Sequence, residues 1–380
     1  MIYSAHIFRH KIMKKTLYQS LIGAAALVLL GAGCGGSAAS TGPDGGIFKS
    51  VDAGTTWVSK SRLLTVGTPA SFAPTDVTTV VVDPKDPKAM WVGTSANGIF
   101  YTFDGGEGWL IAKNFAPAEL MLTESIVNGL AVDPENSCVV YATITAPTTK
   151  SYLIRTVNCG RSWGVLYAFN ELKEEQLRAV AVNPSNPKQL FLGDTAGDVF
   201  RSDNAGASWK KVVRFEDRAI RTIAIHKNGN VFVGTARGGL RMSYDAGENW
   251  QQAELKQFAG AEEVYAIAFA PANPTRLLIG TKYGILRSDD LGKTWTAYEL
   301  LTAPIETQIL SVAVNPKNSN RIFYGTPSGF YRTEDDGKTW TTKRMPTTRV
   351  PKNILVDVQK GADGAAVELL WVGMWRPPQK

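Results

Sequence analysis

Side chains able to carry chemistry are sparse in this chain of 380 residues, and their positions limit what it can catalyse. The histidines are His6, His10 and His226, and the first two lie ahead of an apolar run that reads as a removable leader. His226 is then the single histidine of the mature chain, which excludes multi-histidine metal sites. Any Ser-His-Asp or Cys-His arrangement would have to run through it. It falls at the end of a β-run whose sister runs end on Asp83, Asp133, Asn183 and Asn315, which marks it as a turn residue. No phosphate-cradling loop, Cys-x-x-Cys pair or EF-hand loop occurs, so no cofactor and no metal site is expected. Glycoside hydrolysis needs two carboxylates roughly 5 to 9.5 Å apart. The candidates by loop position are Asp194, Asp198, Asp217, Glu262 and Glu263, and spacing alone does not say which two would meet.

The cysteines are Cys34, Cys138 and Cys159. Lys14 and Lys15, the apolar run Leu21 to Leu30, and Gly-Ala-Gly before Cys34 form a charged, an apolar and a small-residue segment in that order. This resembles a bacterial lipoprotein signal, which implies cleavage before Cys34 and a lipid on its thiol, although Gly31 stands where such signals prefer a branched apolar residue. Residues 1–33 are thus expected to be a signal peptide, with 1–12 an over-long start or extended leader, and 34–44 a flexible tether. The apolar run is short of the ~20 residues a membrane span needs. Removing Arg9, Lys11, Lys14 and Lys15 lowers the net charge from +7 to 7 − 4 = +3, so little remains to suggest nucleic-acid binding. Cys138 and Cys159 are then an even pair in an oxidising compartment. Each sits at the end of one of two neighbouring antiparallel runs, so a disulfide is expected, with two buried thiols as the alternative.

The elements that must position these residues are set by a repeat. Seven times the chain spells Ser/Thr-x-Asp/Asn-x-Gly-x-x-Trp, with 41 to 54 residues between successive tryptophans. The Asp/Asn and Trp pairs are Asp52 and Trp57, Asp104 and Trp109, Asn158 and Trp163, Asn204 and Trp209, Asp245 and Trp250, Asp290 and Trp295, and Asp335 and Trp340. Each box reads as a tight turn: the Asp or Asn accepts backbone N–H bonds, Gly takes the positive φ, and Trp opens the next strand with apolar area to bury. The boxes are therefore structural. Around each runs the same longer pattern, four strands A to D with the box between C and D. Strand B recurs as MWVGT, VVYAT, LFLGD, VFVGT, LLIGT, IFYGT and LWVGM.

The two ends of the chain fix the count. The first box arrives as a C and D pair from Gly45 to Lys60, and the last segment, Asn353 to Trp375, is an A and B pair with no box after it. Joined, they make a seventh blade, close a ring and leave no free sheet edge. The expected fold is all-β: residues 45–380 as one seven-bladed β-propeller of four-stranded antiparallel blades, monomeric.

The boxes resemble the Asp-box (BNR) repeats of sialidases, two-propeller xyloglucanases, the sortilin ectodomain and the photosystem II stability and assembly factor. The resemblance spans residues 45–375 and implies fold more strongly than activity. Sialidases carry an early Phe/Tyr-Arg-Ile-Pro motif that is missing here, xyloglucanases use two propellers, and sortilin has ten blades and a cysteine-rich module. A single exported seven-bladed ring is most similar to the assembly-factor group, which implies a non-enzymatic protein-binding scaffold at a cell envelope. A glycoside hydrolase or carbohydrate-binding propeller is the alternative.

In proteins of this resemblance function sits opposite the boxes, on the face of the B to C and D to A connections. Cations gather there, and Arg214, Arg218, Arg237, Lys282, Arg344 and Arg349 are the candidate partner-binding residues. They suit an acidic protein segment or an anionic glycan. A second basic set, Lys49, Arg155, Arg201, Arg287 and Arg332, precedes five boxes in register, and a feature that repeats with the blade is better explained by structure than by a ligand.

Overall fold

A computed structural model describes residues 44–377 except 114, 117–120, 169–174, 217 and 362. The signal, Cys34 and most of the tether lie outside the described residues, as does the candidate carboxylate Asp217. The rest forms seven sheets whose innermost strands A are Val77–Val82, Ile126–Val132, Leu177–Asn183, Ile220–Ile225, Val264–Ala270, Ser311–Asn315 and Val350–Lys360, numbered blades 1 to 7. Each inner strand packs on the next, and that of blade 7 packs on that of blade 1, so the ring is closed. In blade 1 strand A pairs outward with Met90–Thr94 (B), Ile99–Thr102 (C) and Leu110–Ile111 (D), all antiparallel. Blade 7 draws A and B (Ala366–Trp375) from the C-terminal end of the chain, and C (Ile47–Ser50) and D (Val58–Ser59) from the N-terminal end. Phe48 lies opposite Val372 in that joint.

Strand B is the middle of every blade and is covered on both sheet faces. Met90–Thr94 and Val231–Thr235 are buried at every position. The core is correspondingly divided into seams between blades rather than gathered at one centre. Trp91 and Tyr101 of blade 1 share a cluster with Val127, Ile154 and Trp163 of blade 2, and Phe323 and Phe330 of blade 6 share one with Phe48, Leu370 and Val372 of blade 7. Two connections add to the plain pattern. Phe115–Ala116 runs parallel to Trp163–Ala168 as a fifth, outermost strand of blade 2, and Arg62–Leu63 pairs with Ala70–Ser71 as a short hairpin.

The box is a joint between blades as well as a turn. In the last-closed blade Ser50 Oγ donates to Asp52 Oδ1 at 2.7 Å and accepts the Gly54 N–H at 2.8 Å, while Asp52 Oδ1 takes the N–H groups of Thr55 and Thr56. The residue before the glycine is also left-handed: Ala53, Cys159, Ala205, Ala246, Leu291 and Asp336 all have φ between 56° and 59°. This second positive φ is not legible in the motif, because the position holds whatever residue the turn can force there. The glycine lies against the preceding blade, and a Cβ on Gly106 would stand 2.6 Å from the Trp371 ring. The basic residues before the boxes complete the joint. Arg155, Arg201 and Arg332 donate to the carbonyls of Ala205, Ala246 and Ala53, each the left-handed residue of the next blade's box. Arg287 donates instead to the side-chain carboxylate of Asp336, the corresponding residue of the next box, at 3.0 Å, and Lys49 lies over the Trp371 ring of its own blade.

The tryptophans divide. Trp109, Trp163, Trp295 and Trp340 are buried, whereas Trp57, Trp209 and Trp250 are half-buried. Cys138 and Cys159 form a disulfide that ties the A to B turn of blade 2 to the same blade's box.

Candidate binding face

The A to B turns and the boxes occupy one face of the ring. On that face His226 does what its sister residues do: its Nδ1 accepts the Asn228 N–H at 3.4 Å, as Asp83 Oδ1 accepts Lys85 and Asp133 Oδ1 accepts Glu135. Its ring lies edge-on to Phe269, and the residue is buried.

The opposite face carries the B to C and D to A connections and both ends of the described chain. Here a cleft of about 490 Å³ opens between blades 3 and 4, lined by residues that include Glu175, Thr195, Arg214, Glu216 and Arg237. Arg214 ends strand D of blade 3, Lys210–Arg214, rather than lying in a loop. Its guanidinium grips Asp198 with two bonds of 2.6 and 2.7 Å, and Lys211 adds a third contact at 3.3 Å. Arg218 donates to the Arg237 carbonyl at 2.7 Å, and the Arg237 side chain is exposed at the cleft. Lys282 is half-buried and paired with Glu263 at 3.4 Å. Arg344 is exposed.

Arg349 corrects the expectation. Its side chain is only 5% exposed and is occupied on every side by Asp44, Asp76 and the Pro74 carbonyl. It is a clasp between the chain ends, not a surface cation.

The candidate carboxylates are also placed. Asp194 and Asp198 are neighbours, and both are buried. Asp194 occupies the strand-end position that Thr94, Thr235, Thr281 and Thr326 fill in sister blades, where the hydroxyl both donates to the turn carbonyl and accepts its N–H. A carboxylate only accepts, so Asp194 Oδ1 takes the N–H groups of Ala196 and Asp198 while Oδ2 is buried with no partner among the described residues. Burial, aided by the nearby Asp198 and Glu175 charges, pushes its carboxyl up to about 6. Asp198 is desolvated too, but its bonds from Arg214 and Lys211 prevail and lower it. Glu263 serves Arg221, Lys282 and the Tyr265 hydroxyl, and Glu262 accepts the Gly260 N–H. Asp194 and Asp198 are thus absorbed by the fold, and an acid–base pair open to a substrate does not form from them.

A set of residues missed by the motif lies at the start of the inner strands. In six blades the A to B pairing skips one residue at this point, leaving Thr78, Asn128, Arg178, Arg221, Tyr265 and Lys352 as bulges. A bulge re-aims its side chain out of the alternation. Here several reach the next blade around the ring: Thr78 Oγ1 donates to the Val127 carbonyl at 2.5 Å and Asn128 Nδ2 to the Leu177 carbonyl at 2.9 Å. The Arg221 guanidinium stacks 4.2 Å from the Tyr265 ring. The recurring signal was a polar residue at the second or third position of strand A in these six blades.

Residues 248–361 match the family described as photosynthesis system II assembly factor YCF48. A probable oligoxyloglucan-reducing end-specific xyloglucanase of Neosartorya fischeri is 31% identical over 90 residues, which are 22% of this chain and 11% of that protein. Among solved structures, the GH74 xyloglucanase from Xanthomonas campestris superposes with a TM-score of 0.64 at 17% identity, covering 79% of this chain and 51% of its own. A structure of YCF48 bound to D1 peptide gives a TM-score of 0.56 at 16% identity, covering 82% and 95%. The chain thus spans only a small part of the curated relative and about half of the xyloglucanase structure. At these identities the superpositions show the fold: the chain is an Asp-box β-propeller.

Proposed function

We propose that this Asp-box propeller is a non-enzymatic scaffold, lipid-anchored on the extracytoplasmic side of a bacterial membrane, that holds an acidic segment of a protein partner on the face opposite the boxes. The observation that carries the reading is where the chain leaves the ring. Asp44 is fastened to Thr348 and Arg349, and Gly45 and Gly46 to the Ala73 and Thr75 carbonyls, all on the box-free face. A tether running back to Cys34 starts from that face, and residues 35–43 fully extended reach only about 30 Å. The face with the variable loops would be turned toward the membrane, where the exposed segments of a membrane protein lie. The match to the YCF48 family and the likeness to YCF48 bound to D1 peptide support a protein partner.

A second reading, a glycan-active or glycan-binding propeller, is favoured by the xyloglucanase similarity. The burial of Asp194 and Asp198 counts against hydrolysis by that pair.

The test is crosslinking of the intact lipoprotein in native envelope, followed by recovery of its partners, with release of sugars from envelope and plant glycans assayed alongside. One stoichiometric membrane complex, lost when Arg218 and Arg237 are both changed to Glu, supports the scaffold. Turnover of a glycan, or labelling that leaves Cys34 without lipid, overturns it.

A further inference from the structure

The connection from strand D of blade 4, Gln251–Gln252, to strand A of blade 5 folds back on itself over the box-free face. Its backbone is pinned at successive turns. The Phe258 N–H donates to the Leu255 carbonyl at 2.9 Å, the Ala261 N–H to the Phe258 carbonyl at 3.0 Å, and the Gly239 N–H to the Glu262 carbonyl at 2.9 Å. So held, the loop encloses a cavity of about 280 Å³ walled by Ala253, Leu255, Phe258, Ala259 and Ala261. Polar groups at its rim are already engaged, Gln252 Nε2 with the Gly238 carbonyl and Glu262 with the Gly260 N–H. The apolar surface continues into blade 5, where the Phe258 and Tyr283 rings meet edge to face at 5.2 Å and the Tyr283 carbonyl accepts the Ile305 N–H at 3.3 Å. Ile305 is 48% exposed yet has φ 74°, a conformation that a β-branched residue resists, and Leu301 on the same connection is 57% exposed. Strain kept at an exposed apolar side chain, beside a preformed apolar cavity, marks a surface shaped for a partner.

A single turn, residues 236–239 of blade 4, separates this cavity from the cleft between blades 3 and 4: Arg237 lines the cleft and Gly239 the cavity. The turn is rigid. Thr235 Oγ1 accepts the Gly238 N–H at 2.7 Å and donates to the Gly239 carbonyl at 2.9 Å, while Arg218 and Gln252 hold the Arg237 and Gly238 carbonyls. The Arg237 side chain stands exposed on this ridge and forms no ion pair among the described residues. We propose that the cavity and Arg237 together seat an extended segment of a protein partner, with one aliphatic or aromatic side chain in the cavity and one carboxylate on the guanidinium. The proposal rests on the protein-binding reading above and gives it an apolar anchor. In an extended chain the side chains of residues i and i+2 point the same way, so an apolar residue and an acid in that spacing face the ring together. The guanidinium offers the carboxylate a planar pair of donors. Glu254 beside the cavity and Glu216 in the cleft oppose a longer acidic run, so the fit is to one acid next to an apolar residue. A sugar fits less well, because the engaged rim groups leave its hydroxyls without partners.

A displayed library of random peptides is selected against the full chain, and the affinity of the enriched peptide is measured by calorimetry. Enriched sequences are expected to share a Leu, Ile or Phe with an Asp or Glu a residue or two along. Ala259→Trp fills the cavity from an exposed position and Arg237→Gln removes the cation, and each should weaken that peptide about tenfold. Lys338→Gln, the same loss of charge on the box face, should leave the affinity unchanged. With a photoreactive leucine analogue at the apolar position, the peptide should label the wild-type protein between Ala253 and Ala261, a readout that needs no variant to fold. A consensus lacking either feature, undiminished binding to Ala259→Trp, labelling elsewhere, or displacement of the peptide by a xyloglucan oligosaccharide overturns the anchor. So does self-association of the free chain that Ala259→Trp abolishes, since the cavity would then serve a second copy. If envelope partner capture persists in Ala259→Trp, the anchor fails while the scaffold stands; if the peptide binds as expected and no envelope complex is recovered, the anchor stands and the scaffold fails.

Discussion

Arg349 Nε donates to Asp44 Oδ1 at 3.1 Å across 305 residues of chain. The same guanidinium also holds Asp76 and the Pro74 carbonyl, so one side chain joins the N-terminal lead-in, the loop before blade 1 and the start of blade 7. The blade built from both termini has its hydrogen-bonded strands, and this clasp seals its rim.

Removing that cation strands two carboxylates together. Arg349→Ala should lower unfolding free energy by about 2–4 kcal/mol, toward the value for breaking a buried ion pair. Chemical denaturation measures it, and a loss under about 0.5 kcal/mol would show the clasp to be ornamental. Arg344→Ala, on an exposed neighbour, should change little.

Asp194 stands where sister blades use threonine, and it is charged at a cost. Because its folded carboxyl titrates near 6 and its ordinary value is 3.8, the unfolded chain ionises first. The penalty is absent below about pH 4, grows as pH rises to about 6, and stays at roughly 2–3 kcal/mol above that. Asp194→Thr restores the donating hydroxyl, so it should stabilise the ring by about 2 kcal/mol at pH 7, with the gain fading on acidification. Thermal melts of both proteins from pH 4 to 8 check the trend; a constant difference would contradict it.

The box aspartates work in the other direction. Asp290 loses some water on folding, but bonds from the Thr294 and Ser288 hydroxyls and from backbone N–H groups outweigh that and hold it at about 2. Asp52 is held similarly, and Asp245 and Asp335 reach about 2 chiefly through bonds from Asn249 and Thr339. Depressed carboxylates give stability that is present above about pH 4 and lost as pH falls toward 2. Asn already serves this role at Asn158 and Asn204, whose amides donate to Ser162 and Ser208. Asp290→Asn should therefore fold within about 1 kcal/mol of wild type at pH 7 and be less acid-labile. A steeper acid transition in the variant would argue against this account.

The disulfide closes a 21-residue separation in blade 2. Loop-closure entropy gives such a link about 3 kcal/mol. Cys138→Ser with Cys159→Ser should lower the melting temperature by an amount that reductant reproduces in the wild type. Two alkylatable thiols in the native protein would show that the link does not form there.

Much of the architecture was legible because it repeats. Seven boxes and seven copies of strand B register the blades, and the unpaired C and D at one end and A and B at the other foretell the joint. The second left-handed residue of each box, Ala53 or Leu291, was not legible, since the turn imposes the conformation on an ordinary residue. The bulges were hidden for a related reason: Thr78 or Asn128 lies within a β-run, and only the pairing with strand B reveals that one residue has been skipped.

At the level of the site, the sequence by itself determined the ring, the face left free by the boxes and the cationic character of its loops, because strand period and turn chemistry are local properties that recur with each blade. It could not tell which cations are free. Arg349 and Arg214 look alike in the sequence to Arg237 and Arg344, yet Arg349 is buried between Asp44 and Asp76, and Arg214, though exposed, is held by Asp198. Only closing the ring brings Arg349 of blade 7 onto Asp44, since two charges 305 positions apart meet at a joint that no stretch of chain contains.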